Sequence, residues 1–203
     1  MDDTISYYSQ NAEHFQQLYD SVEAENVHSS WRHILKEREP GAALDVGAGS
    51  GRDARWLASL GWKVVAAEPA TALRQSASAA YSKNISWCDA ALPELASLPD
   101  SPNGFNLILL SAVWMHLPHS GRAAALTRLK ELLALHGSLI ISLRFGPNDD
   151  KRPMYPVSVS ELELLAEPLN LDVREMTLTP SADNLQRSDV QWSTVELRHK
   201  EVV

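Results

Sequence analysis

LDVGAGSGRD, residues 44–53, links a short apolar run to a segment whose apolar residues have helical spacing. Its glycines permit a tight turn and let a ligand approach the backbone closely. The N-terminus of the helix that follows offers free backbone N–H groups to a carboxylate or a phosphate. Nucleotide-type ligands bind at such strand-to-helix loops in open α/β sheets, so the stretch predicts a ligand site there.

The spacing of the glycines distinguishes this loop from two other nucleotide motifs. Glycines occupy positions 47, 49 and 51, whereas the dinucleotide fingerprint G-x-G-x-x-G would place one where the chain has Arg52. No G-K-[ST] sequence follows, which excludes a P-loop. The loop therefore departs from both patterns.

Strand-like and helical patterns alternate on both sides of the loop. Five core strands are predicted at 42–46, 63–67, 85–88, 105–110 and 138–143. Helices are predicted at 52–60, at 71–81, at 122–135 (ended by Gly137), and from Ser158 or Ser160 to near Pro168. Two amphipathic helices, 7–19 and 27–37, come first in the chain, and two strands, 171–178 and 190–197, come last.

This order of elements predicts the fold. Strands that alternate with helices form parallel crossovers in an α/β sheet. The last two strands have no helix between them and can pair antiparallel. We therefore expect an α/β, doubly wound, mostly parallel seven-stranded sheet with a C-terminal antiparallel hairpin and two extra N-terminal helices, in a single domain over residues 1–203.

The composition limits the classes of function. The chain has 18 Lys and Arg against 26 Asp and Glu, a net charge of −8, and this balance argues against a nucleic-acid partner. Cys88 is the only cysteine, so an intrachain disulfide and a cysteine-based zinc site are excluded. The acidic N-terminus lacks a secretory pattern and no apolar run is long enough to span a bilayer, so we expect a cytoplasmic protein without a membrane partner.

Acidic residues follow the second and third predicted strands. Glu68 ends the second strand, where a carboxylate usually holds a ribose diol because it can accept from both hydroxyls. Asp89 has the matching position after the third strand, where a carboxylate could accept from an adenine amino group. Both positions suit contacts to a nucleoside.

With these features the sequence resembles the class I S-adenosylmethionine-dependent methyltransferases, and in particular their small-molecule branch. Residues 45–51 resemble the first motif of that family, Glu68-Pro69 its second-strand acid, and 105–117 (FNLILLSAVWMHL) its fourth-strand motif with the turn after it. The resemblance implies S-adenosylmethionine as the cofactor. It also implies an N-terminal helical lid within 1–39 and a Rossmann-like core over 41–203.

The resemblance assigns cofactor contacts by position. The expected residues are Asp45, Gly47, Ala48, Gly49, Arg52, Glu68, Pro69, Asp89, Ala90 and Ser111. Asp45, Gly47 and Gly49 would border the methionine end of the cofactor, and Ser111 would lie near its amino group. Glu68 would hold the ribose, whereas Asp89 and Ala90 would meet the adenine.

Side chains after the fourth and fifth strands are candidates for contact with the substrate. His116 lies where this fold places the reacting group, and a histidine with a pKa near neutrality is a natural general base, so it is the candidate catalytic residue. A packing role for His116 is the alternative. Arg144 ends the fifth strand, and with Arg152 it hints at an acidic substrate. No metal site is expected, because adjacent acids in a loop, as at 149 and 150, are usually solvated.

The expected function is S-adenosylmethionine-dependent methyl transfer to a small-molecule acceptor by in-line displacement. The sequence leaves the acceptor and the oligomeric state open. A non-catalytic S-adenosylmethionine-binding regulatory protein is one alternative, because fold does not imply function. A nicotinamide-dependent oxidoreductase is another, against which the absence of a glycine at Arg52 counts.

Overall fold

Eight strands form one mixed sheet in a computed structural model, which describes residues 2–80, 82–177 and 180–200. The strands are β1 (Ala42–Val46), β2 (Lys63–Ala67), β3 (Ile85–Cys88), β4 (Phe105–Leu110), β5 (Leu133–Phe145), β6 (Leu171–Glu175), β7 (Ser181–Ala182) and β8 (Gln191–His199). The α-helices are α1 (Asp2–Gln10), α2 (Ala12–Asp20), α3 (Ala24–Val27), α4 (Arg52–Ser59), α5 (Thr71–Ser78), α6 (His119–Leu132) and α7 (Val159–Ala166). Short 3₁₀ helices cover Arg32–Glu37, Trp114–His116 and Glu167–Leu169.

The strands follow the order β3-β2-β1-β4-β5-β8-β6 across the sheet, and β7 pairs with β8. The first five strands in this order, β3, β2, β1, β4 and β5, run parallel to one another. Strand β8 lies between β5 and β6 and is antiparallel to both. The predicted α/β, mostly parallel sheet with a C-terminal antiparallel hairpin is therefore confirmed. The two-residue β7 adds an eighth strand to the predicted seven.

The sheet separates two apolar layers. Successive residues of β1 point to opposite faces, so Leu44 belongs to one layer and Ala43 to the other. In the layer of Leu44, helices α6 and α7 bury Leu126 and Leu162. In the layer of Ala43, α4 buries Leu57 beside the 3₁₀ helix that precedes β1. Helices thus cover both faces, as a doubly wound sheet requires.

The change from α6 to β5 comes earlier than the sequence pattern predicts. The pattern predicts a helix over 122–135 that Gly137 ends, whereas α6 ends at Leu132 and β5 begins at Leu133. Leu133 pairs with Phe105 of β4 across an irregularity in the register. A Cβ on Gly137 would stand 2.7 Å from the Phe105 carbonyl oxygen, so this glycine permits close strand packing instead of ending a helix.

The N-terminal segment is divided into more pieces than predicted. The patterns at 7–19 and 27–37 predict two helices, whereas the structure has α1, α2 and α3 followed by a 3₁₀ helix. Asn11 separates α1 from α2, because its backbone leaves helical geometry and its side chain donates to the Tyr7 carbonyl. The predicted ends at Tyr81 and Leu178 lie outside the described residues.

Candidate active site

A cavity of about 310 Å³ lies at the carboxyl ends of β1, β2, β4 and β5. Open α/β sheets bind ligands at this edge, beside the point where the strand order reverses, which here is between β1 and β4. The N-terminal helices contribute Tyr8 and Tyr19 to its wall, and the segment from β7 to β8 contributes Asp183, Arg187 and Trp192. The N-terminal helices and the segment from β7 to β8 thus meet at the edge of the sheet where the sequence predicts a ligand.

Positive φ angles hold the glycine loop in a shape that other residues adopt only with strain. The φ angles of Gly47, Gly49 and Gly51 are +67°, +57° and +80°. The backbone N–H of Gly47 donates to the Ala67 carbonyl at 2.8 Å, which ties the loop to the end of β2. A Cβ on Gly47 would stand 2.6 Å from Cγ2 of Val113, so this position has no room for a side chain.

The buried carboxylate of Glu68 holds the loop from the side of β2. Its Oε2 accepts from the backbone N–H of Gly49 and its Oε1 from that of Ala70, both at 2.8 Å. Burial raises the pKa of Glu68, although the two N–H donors oppose the shift. An ionised carboxylate has about four lone-pair sites, so about two stay available to a ligand in the cavity.

Asp45 does not line the cavity, although it was expected to border the cofactor. Its carboxylate is fully buried against the first turn of α4, where the nearby backbone N–H of Ala54 acts to lower its pKa. Burial and the negative charge of Asp53 outweigh this effect and raise the pKa. Among the described residues, Asp45 Oδ2 has no hydrogen-bond partner, so the side chain faces the start of α4 rather than the cavity.

Arg52 and Asp53 fasten the N-terminal segment to the glycine loop. The Arg52 guanidinium donates to both Asp53 oxygens, at 2.7 and 2.9 Å, and to the Tyr19 carbonyl at 3.4 Å. His28 Nε2 lies 3.0 Å from Asp53 Oδ1. Burial opposes ionisation of Asp53, but His28 and Arg52 outweigh it and lower its pKa. Arg52 lines the cavity, yet each of its three nitrogens donates to the protein.

The remaining expected cofactor contacts fall into two groups. Those that line the cavity are Ala48, Pro69, Ala90 and Ser111. Asp89 does not line it, because its largely exposed side chain points to Arg74, 3.0 Å away. Arg74 also donates to the backbone carbonyl of Glu68, so the Asp89–Arg74 pair supports the turn after β2.

His116 and Tyr8, which are 108 positions apart, meet in the cavity wall. The Tyr8 hydroxyl lies 3.1 Å from His116 Nε2, and His116 Nδ1 lies 3.1 Å from the Pro153 carbonyl oxygen. Because a carbonyl only accepts, Nδ1 carries the proton and Nε2 accepts from the Tyr8 hydroxyl. Arg152 and Tyr19 donate to the same Tyr8 oxygen, at 3.0 and 3.5 Å, which fits this direction.

Burial lowers the pKa of His116 to about 4, and the positive charges of Arg152 and Arg144 add to this effect. The hydrogen bond to Pro153 opposes the shift without cancelling it. His116 is therefore neutral near pH 7. Its Nε2 lone pair is a hydrogen-bond acceptor and a weak base at the cavity wall.

The lowered pKa of the buried His116 should make the free energy of unfolding depend on pH. The ordinary pKa is 6.5, so between pH 6.5 and about 4 the unfolded chain binds a proton that the folded chain does not. We expect His116 to contribute about 3 kcal/mol of stability above pH 6.5, which is lost as the pH falls through 4. Urea unfolding of the wild type and of His116→Asn measures this contribution, since the Asn amide can still donate to Pro153. Equal pH dependence in the two proteins would contradict it.

The C-terminal part of the chain supplies site residues that the sequence analysis missed. Asp183 accepts from Arg187 at 2.7 and 2.8 Å and from the Trp192 indole N–H at 2.8 Å. Burial works to raise the pKa of Asp183, but these donors outweigh it and lower the pKa to about 2. In the sequence this stretch is only a polar connection between two strands, so no local pattern marks these residues.

The charged groups of the cavity wall are arginines and single acids rather than a ligand cluster for a metal. Within residues 2–80, 82–177 and 180–200, no group of three or more His, Cys, Asp or Glu side chains is arranged to hold a metal ion. In the same ranges, no helix has the length and apolar character needed to cross a membrane.

Residues 43–137 match a protein-family model described as a methyltransferase domain. No curated protein matches the chain significantly. Among solved structures, the chain is similar to 1,6-didemethyltoxoflavin-N1-methyltransferase of Burkholderia thailandensis, crystallised with 1,6-didemethyltoxoflavin and S-adenosylhomocysteine. The TM-score is 0.73 at 16% identity, over 98% of this chain and 88% of that one.

Two further solved structures show the same similarity. One is a TehB-like SAM-dependent methyltransferase of Corynebacterium glutamicum, with a TM-score of 0.65 at 21% identity over 96% of this chain and 98% of that one. The other is the DhpI–SAH complex, with a TM-score of 0.66 at 15% identity over 99% and 97%. At such identities the similarity establishes the fold, and the match over residues 43–137 identifies that stretch with a methyltransferase domain. The chain thus has the Rossmann-like fold of the S-adenosylmethionine-dependent methyltransferases to which it is similar.

Proposed function

We propose that this protein transfers the methyl group of S-adenosylmethionine to a small-molecule acceptor. The observation that supports it most is a single cavity that the glycine loop, the Glu68 carboxylate and the Tyr8–His116 pair all line. A small acceptor is consistent with the Burkholderia relative, which was crystallised with 1,6-didemethyltoxoflavin. The match to a methyltransferase domain does not favour a nicotinamide-dependent oxidoreductase or a purely regulatory protein.

The residues of the cavity suit S-adenosylmethionine. The spare lone pairs of Glu68 suit the two hydroxyls of a ribose, because this buried carboxylate uses only two hydrogen bonds within the protein. Gly47 and Gly49 leave the backbone of the loop open to a ligand. The rings of Tyr8 and Tyr19 also line the cavity, and aromatic faces attract a sulfonium cation. When bound, the cofactor supplies a methyl group that its positive sulfur already activates.

The protein then mainly has to align the acceptor and exclude water. Correct orientation alone can lower a barrier by roughly 7–11 kcal/mol. Tyr8 and His116 provide a path for a proton that the acceptor loses once the acceptor replaces the distant Tyr19 hydroxyl, 3.5 Å away, on the Tyr8 oxygen. The acceptor's proton then passes to the Tyr8 oxygen as the Tyr8 hydroxyl proton passes to His116 Nε2. A base with a pKa of about 4 is weak, but the acceptor becomes far more acidic as it gains the methyl group, so a weak base suffices.

The N-terminal segment, residues 1–39, acts as a lid over a Rossmann-like core at 41–203 in this proposal. The end of α2 supports such a role, because the Asp20 carboxylate accepts from the Ser50 hydroxyl at 2.7 Å and from Arg55 at 2.8 Å. These bonds, with those of Arg52, attach α2 to the glycine loop. A cofactor beneath them would be shielded from water.

Production of S-adenosylhomocysteine tests the proposed function. A cell extract is divided by ultrafiltration, and each fraction is incubated with the protein and S-adenosylmethionine. We expect S-adenosylhomocysteine to accumulate with the small-molecule filtrate, and His116→Asn to slow this turnover by about tenfold to hundredfold while it leaves cofactor binding intact. Turnover with the macromolecular fraction alone would contradict a small-molecule acceptor.

A further inference from the structure

Three arginine side chains come together where the cavity meets the loop after β5. Arg144 is the penultimate residue of β5, Arg152 lies in the loop that follows, and Arg187 comes from the segment before β8. The same three residues line a second cavity of about 470 Å³, together with residues of the 147–151 stretch. The arginines therefore form a wall that the two cavities share.

Two of these arginines already have partners. Arg152 donates to Asp149 at 2.8 Å and to Tyr8, and its guanidinium lies over the ring of Phe15, 5.3 Å from the centroid. Arg187 is held by both oxygens of Asp183. Their positions are thus fixed from within the protein, and each charge is balanced by a carboxylate.

Arg144 is different from its two neighbours. Its Nη1 donates to the Pro147 carbonyl at 2.9 Å, but its buried Nε has no hydrogen-bond partner, and the residue is only 9% exposed. Within the described ranges, no carboxylate forms an ion pair with it. Burial and the positive charges of Arg187 and Arg152 lower its pKa, and the more weakly acting carboxylates of Asp189 and Asp183 do not cancel this shift. A buried guanidinium with an unused donor and no close ion pair is costly unless a ligand completes it.

We propose that Arg144 binds an oxyanion group, a carboxylate or a phosphate, on the methyl acceptor. This inference rests on the proposed function, because it assigns the anion to the acceptor in that reaction. The planar guanidinium can offer two parallel N–H donors to two oxygens, which gives both attraction and orientation. Arg152 and Arg187 do not compete for the anion, since their own carboxylates hold them. An acceptor without an anionic group leaves the Arg144 guanidinium unpaired, so we expect it to bind more weakly than an acceptor with a carboxylate or a phosphate.

The unused Nε–H of Arg144 gives a direct measurement. Protein labelled with ¹⁵N is saturated with S-adenosylhomocysteine, and the arginine Nε–H resonances are recorded during titration with inorganic phosphate or with acetate. The resonance of Arg144 is identified by its loss in Arg144→Gln and, independently, in Arg144→Lys. Arg128→Gln is the matched control, because Arg128 is a partly exposed arginine on α6 that lines neither cavity.

We expect the Arg144 resonance to shift saturably with at least one of the two anions in the wild type and in Arg128→Gln. The stronger response, to phosphate or to acetate, tells which group the acceptor has. We also expect Arg144→Gln to bind S-adenosylhomocysteine within about twofold of the wild type, which is less than 0.5 kcal/mol. An Arg144 resonance that neither anion moves, in protein that binds S-adenosylhomocysteine, would overturn this inference alone. Failure to bind S-adenosylhomocysteine would instead count against the proposed function.

Discussion

Replacement of Glu68 by alanine should weaken the binding of S-adenosylhomocysteine by about hundredfold, because hydrogen bonds to a charged group contribute about 1.5–3 kcal/mol each. The carboxylate has two tasks in our account. It holds the glycine loop through the N–H of Gly49, and its free lone pairs are available to the ribose of the cofactor. Alanine removes both contributions, and it leaves two buried N–H groups without an acceptor.

Two further variants make the Glu68 experiment specific. Glu68→Gln keeps the shape and one acceptor oxygen, so we expect an intermediate loss of about tenfold. Glu163→Gln is the control, because Glu163 is exposed on α7 and outside the cavity, and its binding should equal that of the wild type. Thermal unfolding shows whether each variant is folded. A folded Glu68→Ala protein that binds S-adenosylhomocysteine like the wild type would refute the role of Glu68.

Replacement of Gly47 by alanine should destabilise the protein by about 2–5 kcal/mol and reduce cofactor binding. A left-handed backbone costs a residue with a Cβ roughly 1–2 kcal/mol, and overpacking adds about 1–3 kcal/mol. Both costs apply at Gly47, since its φ is +67° and a Cβ would stand 2.6 Å from Cγ2 of Val113. The backbone strain and the overlap with Val113 are relieved only if the glycine loop moves. Such a movement displaces the backbone groups of the loop that face the ligand.

Chemical denaturation combined with calorimetry measures both effects. Gly121→Ala is the matched control, because Gly121 lies in α6, where a Cβ would meet nothing nearer than 3.9 Å, and we expect stability within about 1 kcal/mol of the wild type. In Gly47→Ala/Val113→Ala the overlap is removed but the φ strain is not, so stability should recover in part. If Gly47→Ala were as stable as the wild type and bound the cofactor equally well, the positive φ of Gly47 and its close contact with Val113 would be contradicted.

The sequence predicts the sheet well because its elements have strong local patterns. The strand β4, FNLILL, is apolar and buried at every position except Asn106, and the bounds predicted for β1 to β4 coincide with those observed. The glycine loop and Glu68 were also predictable, because a strand followed by a turn fixes which residue stands at the ligand edge. These features depend on residues that are close together in the chain.

Features that depend on packing between distant elements were not predictable. The early start of β5 follows from the pairing of Leu133 with Phe105, which no local pattern at Leu133 signals. Asp45 has the position of a cofactor residue in the sequence, but its side chain is buried on the face of β1 that α4 covers. Strand alternation indicates the face, but not which helix end covers it.

The contacts in the cavity wall were also not predictable, because they join elements that are far apart in the sequence. His116 is visible as a candidate in the sequence, but its hydrogen bond to Tyr8 joins the first helix to the turn after β4, which no local pattern signals. Arg187 lies in a polar connection, and only the fold brings it beside Arg144 and Arg152. Such contacts are set by how both ends of the chain close over the sheet, and the linear pattern does not contain that information.

Calorimetric titration with S-adenosylhomocysteine, and with NAD in parallel, determines which of the two ligands the cavity binds. The glycine loop, Glu68 and the cavity beside them predict that the wild type binds S-adenosylhomocysteine with a Kd in the range of about 1–100 μM, which is −5.5 to −8.2 kcal/mol, and gives no measurable heat with NAD. The opposite result, a folded protein that binds NAD and not S-adenosylhomocysteine, would contradict the account of this site.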